Sequence, residues 1–243
     1  MIDDVCPKSK TSMKNLRRTI SAIFWHHQNG AKWRALPSEF DPWWIAAQLF
    51  IRWSKLGVWQ RLFEKVKDRD QALGMIFFDG TTIRAHNKAT GAAKKGDTEY
   101  LRDRKALARS RGGFGTTVCV AVDGHGRTLS FTLSPGQAYE LPSAYSLLDD
   151  LPYPPTYVIC DRGYASHKFR DYLWSQGPRP VIPQRKNDPE VTWPEWSYRH
   201  RHLVENLWAR LKEWRAVATR YGKTAASCLS VILIATTADY IQT

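Results

Sequence analysis

The chain has 243 residues, of which 36 are Lys or Arg and 23 are Asp or Glu, so its formal net charge is +13. That length allows one sizeable core with a small accessory unit, and that charge favours a polyanionic partner, most often nucleic acid, over a plain basic protein. The four cysteines form no C-x-x-C pair, which argues against a zinc site or a disulfide framework and is typical of a reducing cytoplasm.

The chain shows no sign of membrane targeting. It begins Met-Ile-Asp-Asp without an apolar signal segment, and its longest apolar run, near residues 228–235, is interrupted by Ser and Thr. Such a run is too short to cross a bilayer. We therefore expect a cytoplasmic protein with no membrane partner.

The first 70 residues predict a small all-helical domain. Apolar residues recur at helical spacing over residues 13–28, 41–55 and 58–67, with Asn29-Gly30 ending the first helix and Gly57 preceding the third. Three short helices with a tight turn before the last are typical of a helix-turn-helix-like DNA-binding region. A helical cap on the main domain fits the same pattern equally well.

From residue 71 to 243 the pattern changes to that of a catalytic α/β domain. Residues 75–78 form an apolar run that predicts a buried strand ending at Asp79. A basic loop over residues 84–115 follows, and a loop so long is usually functional or disordered. We expect it to contact DNA phosphates, with a merely solvated loop as the alternative. Its candidate contacts are Arg84, Lys94, Lys95, Arg109 and Arg111.

Further along, strands are predicted over residues 116–122, 128–133, 157–160 and 180–183, with helices over 139–149 and 167–176. The strand at 157–160 is again buried and apolar, and it also ends at a carboxylate, Asp161. An irregular Pro- and Trp-containing segment covers residues 177–197. Its Trp193 and Trp196 are candidates for stacking on an unpaired base, and core packing is the alternative for each.

One helix is predicted over residues 198–214, and an apolar helix over 224–241 closes the chain. On the first of these, the spacing brings four polar residues within about 60° of one another, beside an apolar face. They are Tyr198, Arg201, Glu205 and Lys212. An ordinary amphipathic helix with one paired Glu is the plainer interpretation of this segment alone.

Together, the two strand-end aspartates and the helix glutamate predict a metal site. Adjacent parallel strands end at the same edge of a sheet, so Asp79, Asp161 and Glu205 are expected to converge there. Bare carboxylates would repel one another, whereas Mg²⁺ binds such oxygens. Two ions about 3.5–4 Å apart could activate a water and stabilise the leaving oxygen of a phosphodiester.

Several of these segments resemble the bacterial insertion-sequence DDE transposases that carry a Tyr–Arg–Glu–Lys signature, close to the "IS five" family. The matching residues are Asp79 with Thr81, Thr82 and Arg84; Ser110-Arg111-Gly112-Gly113-Phe114; Asp161-Arg162-Gly163-Tyr164; Tyr198, Arg201, Glu205 and Lys212; and the stretches 32–37 and 53–59. The chain departs from the pattern at Gly80, where Ser is frequent, at Ala165, where an acidic residue is frequent, and in a short N-terminal region.

The resemblance implies an RNase H-like mixed sheet flanked by helices and a catalytic triad of Asp79, Asp161 and Glu205. It implies hydrolysis at the ends of the element with two Mg²⁺ ions, for which Mn²⁺ could substitute, followed by attack of the freed 3′-hydroxyl on target DNA. Tyr198, Arg201 and Lys212 would contact phosphates or order the site, and Arg162 is a further candidate DNA contact.

The implied partner is double-stranded DNA, at the element ends and at the target. A homodimer on DNA is expected because joining two ends calls for two active sites, and the expected location is the bacterial cytoplasm, in association with the nucleoid. Two alternatives remain: a metal-dependent nuclease of the same fold without strand transfer, and an inactive remnant that still binds DNA.

Overall fold

The computed structural model describes residues 2–7, 15–40, 42–67, 71–90, 106–110 and 112–242. The chain divides into two compact units. Unit 1 comprises Met1–Arg69, Ile83–Leu107 and Arg210–Thr243, and unit 2 comprises Asp70–Thr82 and Ala108–Ala209. Because each unit is made from separate stretches of chain, the division into domains 1–70 and 71–243 stays a prediction.

Four helices precede the first strand, and strands and helices are mixed in the rest of the described chain. The helices are α1 (Ile2–Val5), α2 (Leu16–Asn29), α3 (Trp43–Lys55), α4 (Val58–Lys67), α5 (Asn87–Thr90), α6 (Leu141–Asp149), α7 (His167–Gln176), α8 (Glu195–Arg199), α9 (His202–Glu213), α10 (Arg215–Ala218) and α11 (Ala225–Gln242). The strands are β1 (Met75–Ala85), β2 (Ala108–Ser110), β3 (Gly113–Val122), β4 (Thr128–Pro135), β5 (Tyr157–Cys160), β6 (Arg179–Val181) and β7 (Thr219–Arg220).

Unit 1 is built mainly from helices packed through aromatic side chains. The ring of Trp59 on α4 lies 5.0 Å from that of Trp53 on α3, centroid to centroid, and both side chains are buried. Helix α2 ends where predicted, at Gly30, whose φ of 60° is a left-handed conformation that glycine adopts without strain. The turn before α4 uses Gly57 in the same way, at φ 65°.

Helix α11 is an apolar core helix of unit 1. It has 18 residues with a mean hydropathy of 1.3, and 56% of that window is buried inside the protein. By length and composition alone it could cross a membrane, although the apolar run within it had suggested a segment that is too short. A buried helix of a globular core passes the same test, so this is weak evidence for a membrane span.

Unit 2 is organised around a mixed sheet with the strand order β2-β3-β1-β5-β6, and β4 pairs antiparallel with β3. Strand β1 runs parallel to β5, and β5 runs parallel to β6. Buried side chains on α6 and α7, such as Leu147 and Phe169, pack onto apolar strand residues such as Phe78 and Val158. The mixed sheet with flanking helices that the sequence predicted is confirmed.

Two predicted strand and loop boundaries are wrong. Strand β1 does not stop at Asp79 but continues to Ala85, because Arg84 and Ala85 pair in parallel with Thr219 and Arg220 of β7. The predicted basic loop at 84–115 is therefore partly regular. It contains the end of β1, helix α5, strand β2 and the start of β3, and β2 pairs with β3 through Arg109 opposite Phe114.

The predicted helix over residues 198–214 is interrupted. Tyr198 belongs to α8, and Glu205 to α9. Between them the backbone forms tighter bonds, from the N–H of Arg201 to the carbonyl of Tyr198 and from the N–H of Leu203 to that of His200. The segment 177–197 is likewise not irregular throughout, since it contains β6, held by parallel pairing with β5, and the first turn of α8.

Candidate active site

Two aspartates lie side by side in unit 2, where the pairing of β1 with β5 ends. Phe78 of β1 is the register partner of Cys160 of β5 in this parallel pair, so the residues that follow them, Asp79 and Asp161, are neighbours. The apolar residues of both strands before that point are buried, and the Asp79 side chain is only 13% exposed. Asp161 is fixed by its own turn, where its Oδ1 accepts a hydrogen bond from the N–H of Gly163 at 2.8 Å.

Arg201 joins Asp79 to the predicted third carboxylate. Its Nη2 donates to Oδ1 of Asp79 at 2.7 Å, and its Nη1 donates to Oε1 of Glu205 at 2.6 Å. The second contact follows from the four-residue spacing, which places the two side chains on one face of a helical segment. Arg201 is 21% exposed and Glu205 is 59% exposed, so the ion pair with Asp79 is the more shielded of the two.

The second oxygen of Asp79 also has a donor. The indole Nε1 of Trp208 donates to Oδ2 at 3.0 Å, from a side chain that is 5% exposed. Trp208 falls on the apolar face of the predicted helix, and nothing in its spacing distinguishes an indole that only packs from one that also donates a hydrogen bond.

The electrostatics of Asp79 reflect its burial. Loss of water raises the pKa of its carboxyl above the ordinary value, and the negative charge of Asp161 raises it further. The guanidinium of Arg201 and the indole of Trp208 oppose this shift without cancelling it. A further positive charge beside Asp79 would stabilise its carboxylate form, and a divalent cation would supply that charge.

The three predicted triad carboxylates do not form a closed metal-binding group. Within the described ranges, no three Asp, Glu, His or Cys side chains are grouped closely enough to hold a metal ion. Instead, the Arg201 guanidinium lies between Glu205 and Asp79 and bonds to both. The donor set still fits a hard cation, since Asp79 and Asp161 present oxygen ligands at one shielded edge. Their assignment as metal ligands, with Glu205, stays a prediction.

Sequence reasoning missed a fourth carboxylate, Glu140. It lies immediately before α6, and its carboxylate packs over Gly80, where a Cβ would come within 2.5 and 2.6 Å of its two oxygens. Burial raises the pKa of the Glu140 carboxyl, and the negative charges of Asp161 and Asp79 add to this shift. No local motif marks Glu140, because only the tertiary packing of α6 brings it to the strand ends.

Tyr164 lies behind these carboxylates. Its side chain is fully buried, and its hydroxyl makes no hydrogen bond of ordinary length and angle within the described part of the chain. The hydroxyl lowers the pKa of the Glu140 carboxyl, against the larger effect of burial. Burial also raises the pKa of the Tyr164 phenol, so it is neutral near pH 7.

Two of the predicted DNA contacts lie near the aspartates. Burial raises the pKa of the Tyr198 phenol, and the charges of Arg201, Asp161 and Arg162 all act on it, so this ring belongs to the same neighbourhood. Arg162 is exposed and follows Asp161 directly. Trp193 is half-buried against Tyr198, with ring centroids 6.4 Å apart, whereas Trp196 is 49% exposed and contacts Tyr157 edge-on.

A basic depression of about 600 Å³ lies beside Arg162 in unit 2. Sequence reasoning found two of its residues and missed the cations contributed by the segment after β6. Its lining is Arg162, Pro183, Gln184, Arg185, Lys186, Asp188, Glu190 and Trp193. Three cations, two carboxylates and one indole make this a surface that could hold a phosphate chain and an aromatic base.

The structure does not place the remaining predicted contacts at this site. Arg109 is exposed on β2 in unit 2, and Arg84 and Lys212 are exposed on parts of β1 and α9 that belong to unit 1. Lys94, Lys95 and Arg111 lie outside the described residues. A separate apolar cavity of about 780 Å³ in unit 1, lined by residues such as Trp33, Phe50 and Val231, contains none of the predicted site residues.

Known proteins share features with this chain along most of its length. Residues 1–63 match the family model described as "Putative transposase of IS4/5 family". A Sinorhizobium fredii protein, "Uncharacterized protein y4sN", is 30% identical over 80 residues, which are 33% of this chain and 63% of that protein. The chain thus spans less than two thirds of that relative. The "Putative transposase for insertion sequence element IS6501" of Brucella ovis is 29% identical over 124 residues, 49% of this chain and 93% of that protein.

Solved structures show a more distant similarity. The catalytic core domain of BIV integrase is 12% identical, with a TM-score of 0.37 over 68% of this chain and 82% of that one. The piggyBac transposase in a synaptic complex with hairpin DNA is 12% identical, with a TM-score of 0.43 over 80% of this chain and 48% of that one.

The decisive match covers both strand-end aspartates, Arg201 and Glu205. Residues 71–238, more than half of the chain, match the family model described as "Transposase DDE domain". The predicted carboxylates Asp79, Asp161 and Glu205 lie within that match, and the first two follow the paired residues of β1 and β5. The resemblance inferred from the Tyr–Arg–Glu–Lys spacing is confirmed at the level of the family, and the chain belongs to the DDE transposases.

Proposed function

We propose that this protein is a transposase that cuts DNA at the ends of an insertion sequence by metal-dependent phosphodiester hydrolysis and joins the freed 3′-hydroxyl to target DNA. One observation carries the proposal. Asp79 and Asp161 lie side by side directly after the last paired residues of β1 and β5, Phe78 and Cys160, and Arg201 connects Glu205 to Asp79. Membership of the DDE transposases supports the same chemistry.

The DDE family uses divalent metal ions, and the proposed ligands are Asp79, Asp161 and Glu205. Two Mg²⁺ ions, or Mn²⁺ in their place, would supply Lewis-acid stabilisation of the attacking and leaving oxygens. The residues of the chain hold this chemistry in place: the strand pairing fixes the two aspartates, and Trp208 orients one oxygen of Asp79. Arg201 pairs with both Asp79 and Glu205, and its charge opposes the rise that burial causes in the pKa of Asp79.

DNA is the proposed partner, and the basic depression of unit 2 is its proposed contact surface beside the cut. Arg162, Arg185 and Lys186 would pair with phosphates, and Trp193 offers a face for an unpaired base. The other predicted contacts, Arg84, Arg109 and Lys212, would act along the same duplex, and the formal charge of +13 supports this partner. A homodimer on DNA follows from the need to join two ends, and such a protein would act in the bacterial cytoplasm at the nucleoid.

The proposal is tested with purified protein, Mg²⁺ and a duplex that carries the terminal repeats of the element. We expect cleaved ends and a joined product from the wild type, and a loss of about 10³-fold or more in both for Glu205→Gln, which removes one ligand charge. The matched control is Glu213→Gln, an exposed glutamate at the end of the same helix, which should retain wild-type activity.

The other outcomes identify the rival functions. Cleavage without a joined product would replace the transposase by a nuclease of the same fold. Binding of the duplex with neither product, under conditions in which Mn²⁺ binds, would indicate an inactive DNA-binding remnant. Full activity of Glu205→Gln would remove Glu205 from the triad.

A further inference from the structure

The apolar cavity of unit 1 is large enough for a small organic ligand. Its volume of about 780 Å³ lies within the range of small-molecule sites in proteins. Helices α2, α3 and α11 supply most of its wall, and the segment 216–224 supplies the rest. All of these lining residues belong to unit 1, so the cavity is a feature of that unit by itself.

Aromatic rings give the cavity flat walls. The imidazole of His26 stacks on the indole of Trp33, with centroids 3.5 Å apart and planes 11° apart. The buried ring of Phe50 lies 4.4 Å from that of His27, and Tyr221 lines the cavity with a side chain that is 40% exposed. Such walls favour a planar ligand, because rings gain by stacking beyond the area they bury.

Two ring nitrogens in this wall lack a polar partner. Nε2 of His27 and Nδ1 of His26 are shielded from water, and neither has a hydrogen-bond partner within the described ranges. His27 is only 5% exposed, and both residues line the cavity, so a ligand bound there could reach them. A hydrocarbon would leave both nitrogens unpaired, whereas a heteroaromatic ring carries donors and acceptors that could pair with them.

The charges around the cavity are positive. Lys55 and Lys223 line it and are exposed, and the buried Arg220 lies in its wall. Among the lining residues that the structure describes, none is Asp or Glu. A ligand with a phosphate group complements such a lining, because ammonium groups form short, charge-assisted hydrogen bonds with phosphate oxygens.

We infer that this cavity binds a nucleoside phosphate, with the base stacked on the aromatic wall and hydrogen-bonded to His27, and the phosphate paired with Lys55 and Lys223. The nucleotide is either free or the unpaired last residue of a DNA strand, since both present the same base and phosphate. This site uses none of the residues of the proposed catalytic function and does not rest on it.

Fluorescence of a base analogue measures the binding. The probe is 2-aminopurine deoxyriboside 5′-monophosphate, whose emission is quenched when the base stacks, titrated with the full chain. We expect saturable quenching by the wild type, reversed by excess dAMP. His27→Phe keeps an aromatic ring and removes the nitrogens, so it should weaken binding by about 5- to 10-fold without lowering the thermal melting temperature.

A second variant blocks the cavity without touching its buried wall. Ala226 is an exposed lining residue in the first turn of α11, so Ala226→Trp places an indole in the cavity at little cost to folding. We expect it to weaken binding by about 10-fold or more. Ala218→Trp, at an exposed position outside the lining, is the matched control and should bind as the wild type does.

The role of the phosphate has its own pair of variants. Lys223→Gln should weaken binding of the monophosphate by about 5-fold and leave binding of the uncharged 2-aminopurine deoxyriboside unchanged. Lys168→Gln removes an exposed lysine of unit 2 and should change neither. Equal weakening of both probes by Lys223→Gln would contradict the phosphate contact.

A duplex that ends in an unpaired 2-aminopurine nucleotide separates the two sources of ligand. Quenching by the free monophosphate alone assigns a free nucleotide, and quenching of the duplex end that Ala226→Trp abolishes assigns a DNA strand. Failure of the wild type to bind either probe overturns the inference. Wild-type affinity in Ala226→Trp, or in His27→Phe, overturns it as well, and Glu205→Gln should bind both probes normally even though it does not cleave.

Discussion

Two shielded arginines, one in each unit, show opposite ways of burying a cation. Arg201 in unit 2 donates to the carboxylates of Asp79 and Glu205. Arg220 in unit 1 is 1% exposed and donates to backbone carbonyls, from Nη1 to Ala106 at 2.8 Å and from Nε to Gly222 at 2.9 Å. Both are guanidiniums removed from water, so the difference lies in what accepts their hydrogen bonds.

The pKa values follow that difference. Burial lowers the pKa of the Arg201 guanidinium, but the charge and hydrogen bond of Asp79 together with the charges of Tyr198 and Glu205 outweigh it, and the pKa is raised. Burial lowers the pKa of Arg220, and the neighbouring Cys228 opposes this only in part. Arg220 therefore ties loops of backbone together, whereas Arg201 balances charge in the candidate active site. The same substitution should cost stability in unit 1 and activity in unit 2.

The largest expected effect is on catalysis, from Arg201→Lys. Lysine keeps the charge but cannot donate to two carboxylates through a planar group, so Asp79 and Glu205 lose their common partner. We expect the cleavage rate to fall by about 10²- to 10³-fold, with a change of only about 1 kcal/mol in the free energy of unfolding because lysine keeps the charge beside Asp79.

This prediction is measured by single-turnover cleavage and by urea unfolding of the same preparation. Arg199→Lys is the matched control, because that side chain is 77% exposed and its pair with Glu195 is a surface one. A variant that cleaves at the wild-type rate, or that loses stability in proportion to its activity, would assign Arg201 a structural role instead.

The corresponding change in unit 1, Arg220→Lys, should lower the free energy of unfolding by about 2–3 kcal/mol. A lysine in that position cannot reach both Ala106 and Gly222, and a buried carbonyl left without a donor costs about 1–3 kcal/mol. The urea midpoint reports this loss, and the cleavage rate per folded molecule should stay at the wild-type value. A normal midpoint would contradict the backbone-tethering role of Arg220.

How much of the site could be read from the sequence depends on whether its geometry is local. Asp79 and Asp161 were found because each ends an apolar run, and parallel strands bring such ends together. Arg201 and Glu205 were found because a four-residue spacing places them on one helical face. Glu140 was not found, because only the tertiary packing of α6 brings its carboxylate against Gly80.

The fold shows the same limit. The strand at 157–160 and the helices α3, α4 and α7 follow their periodic patterns closely. The extension of β1 could not be foreseen, because it depends on pairing with Thr219 and Arg220, which are distant in the sequence. The interruption between α8 and α9 carries no Gly or Pro, so periodicity alone predicted one continuous helix.

The smallest expected effect concerns stability at acid pH. It involves two neighbouring histidines in unit 1, His26 and His27. Burial lowers the pKa of His26 from 6.5 to about 4, and it lowers that of His27 as well. Nδ1 of His26 and Nε2 of His27 have no hydrogen-bond partner among the described residues, and the His26 ring stacks on Trp33 with centroids 3.5 Å apart. Both rings are therefore neutral in the folded chain near pH 7.

The direction of the pH dependence follows from which state takes up the proton. Above pH 6.5 the histidines are neutral in both states, and below it the unfolded chain binds protons that folded His26 excludes until about pH 4. The free energy of unfolding should therefore decrease as the pH is lowered, by about 2 kcal/mol from His26 alone between pH 7 and pH 5. His26→Phe keeps the stacking on Trp33 and should flatten the curve, whereas His167→Phe, at an exposed position, should not. Urea unfolding at several pH values measures this, and an unchanged slope in His26→Phe would mean that the acid sensitivity of the chain arises elsewhere, including the carboxylates of unit 2.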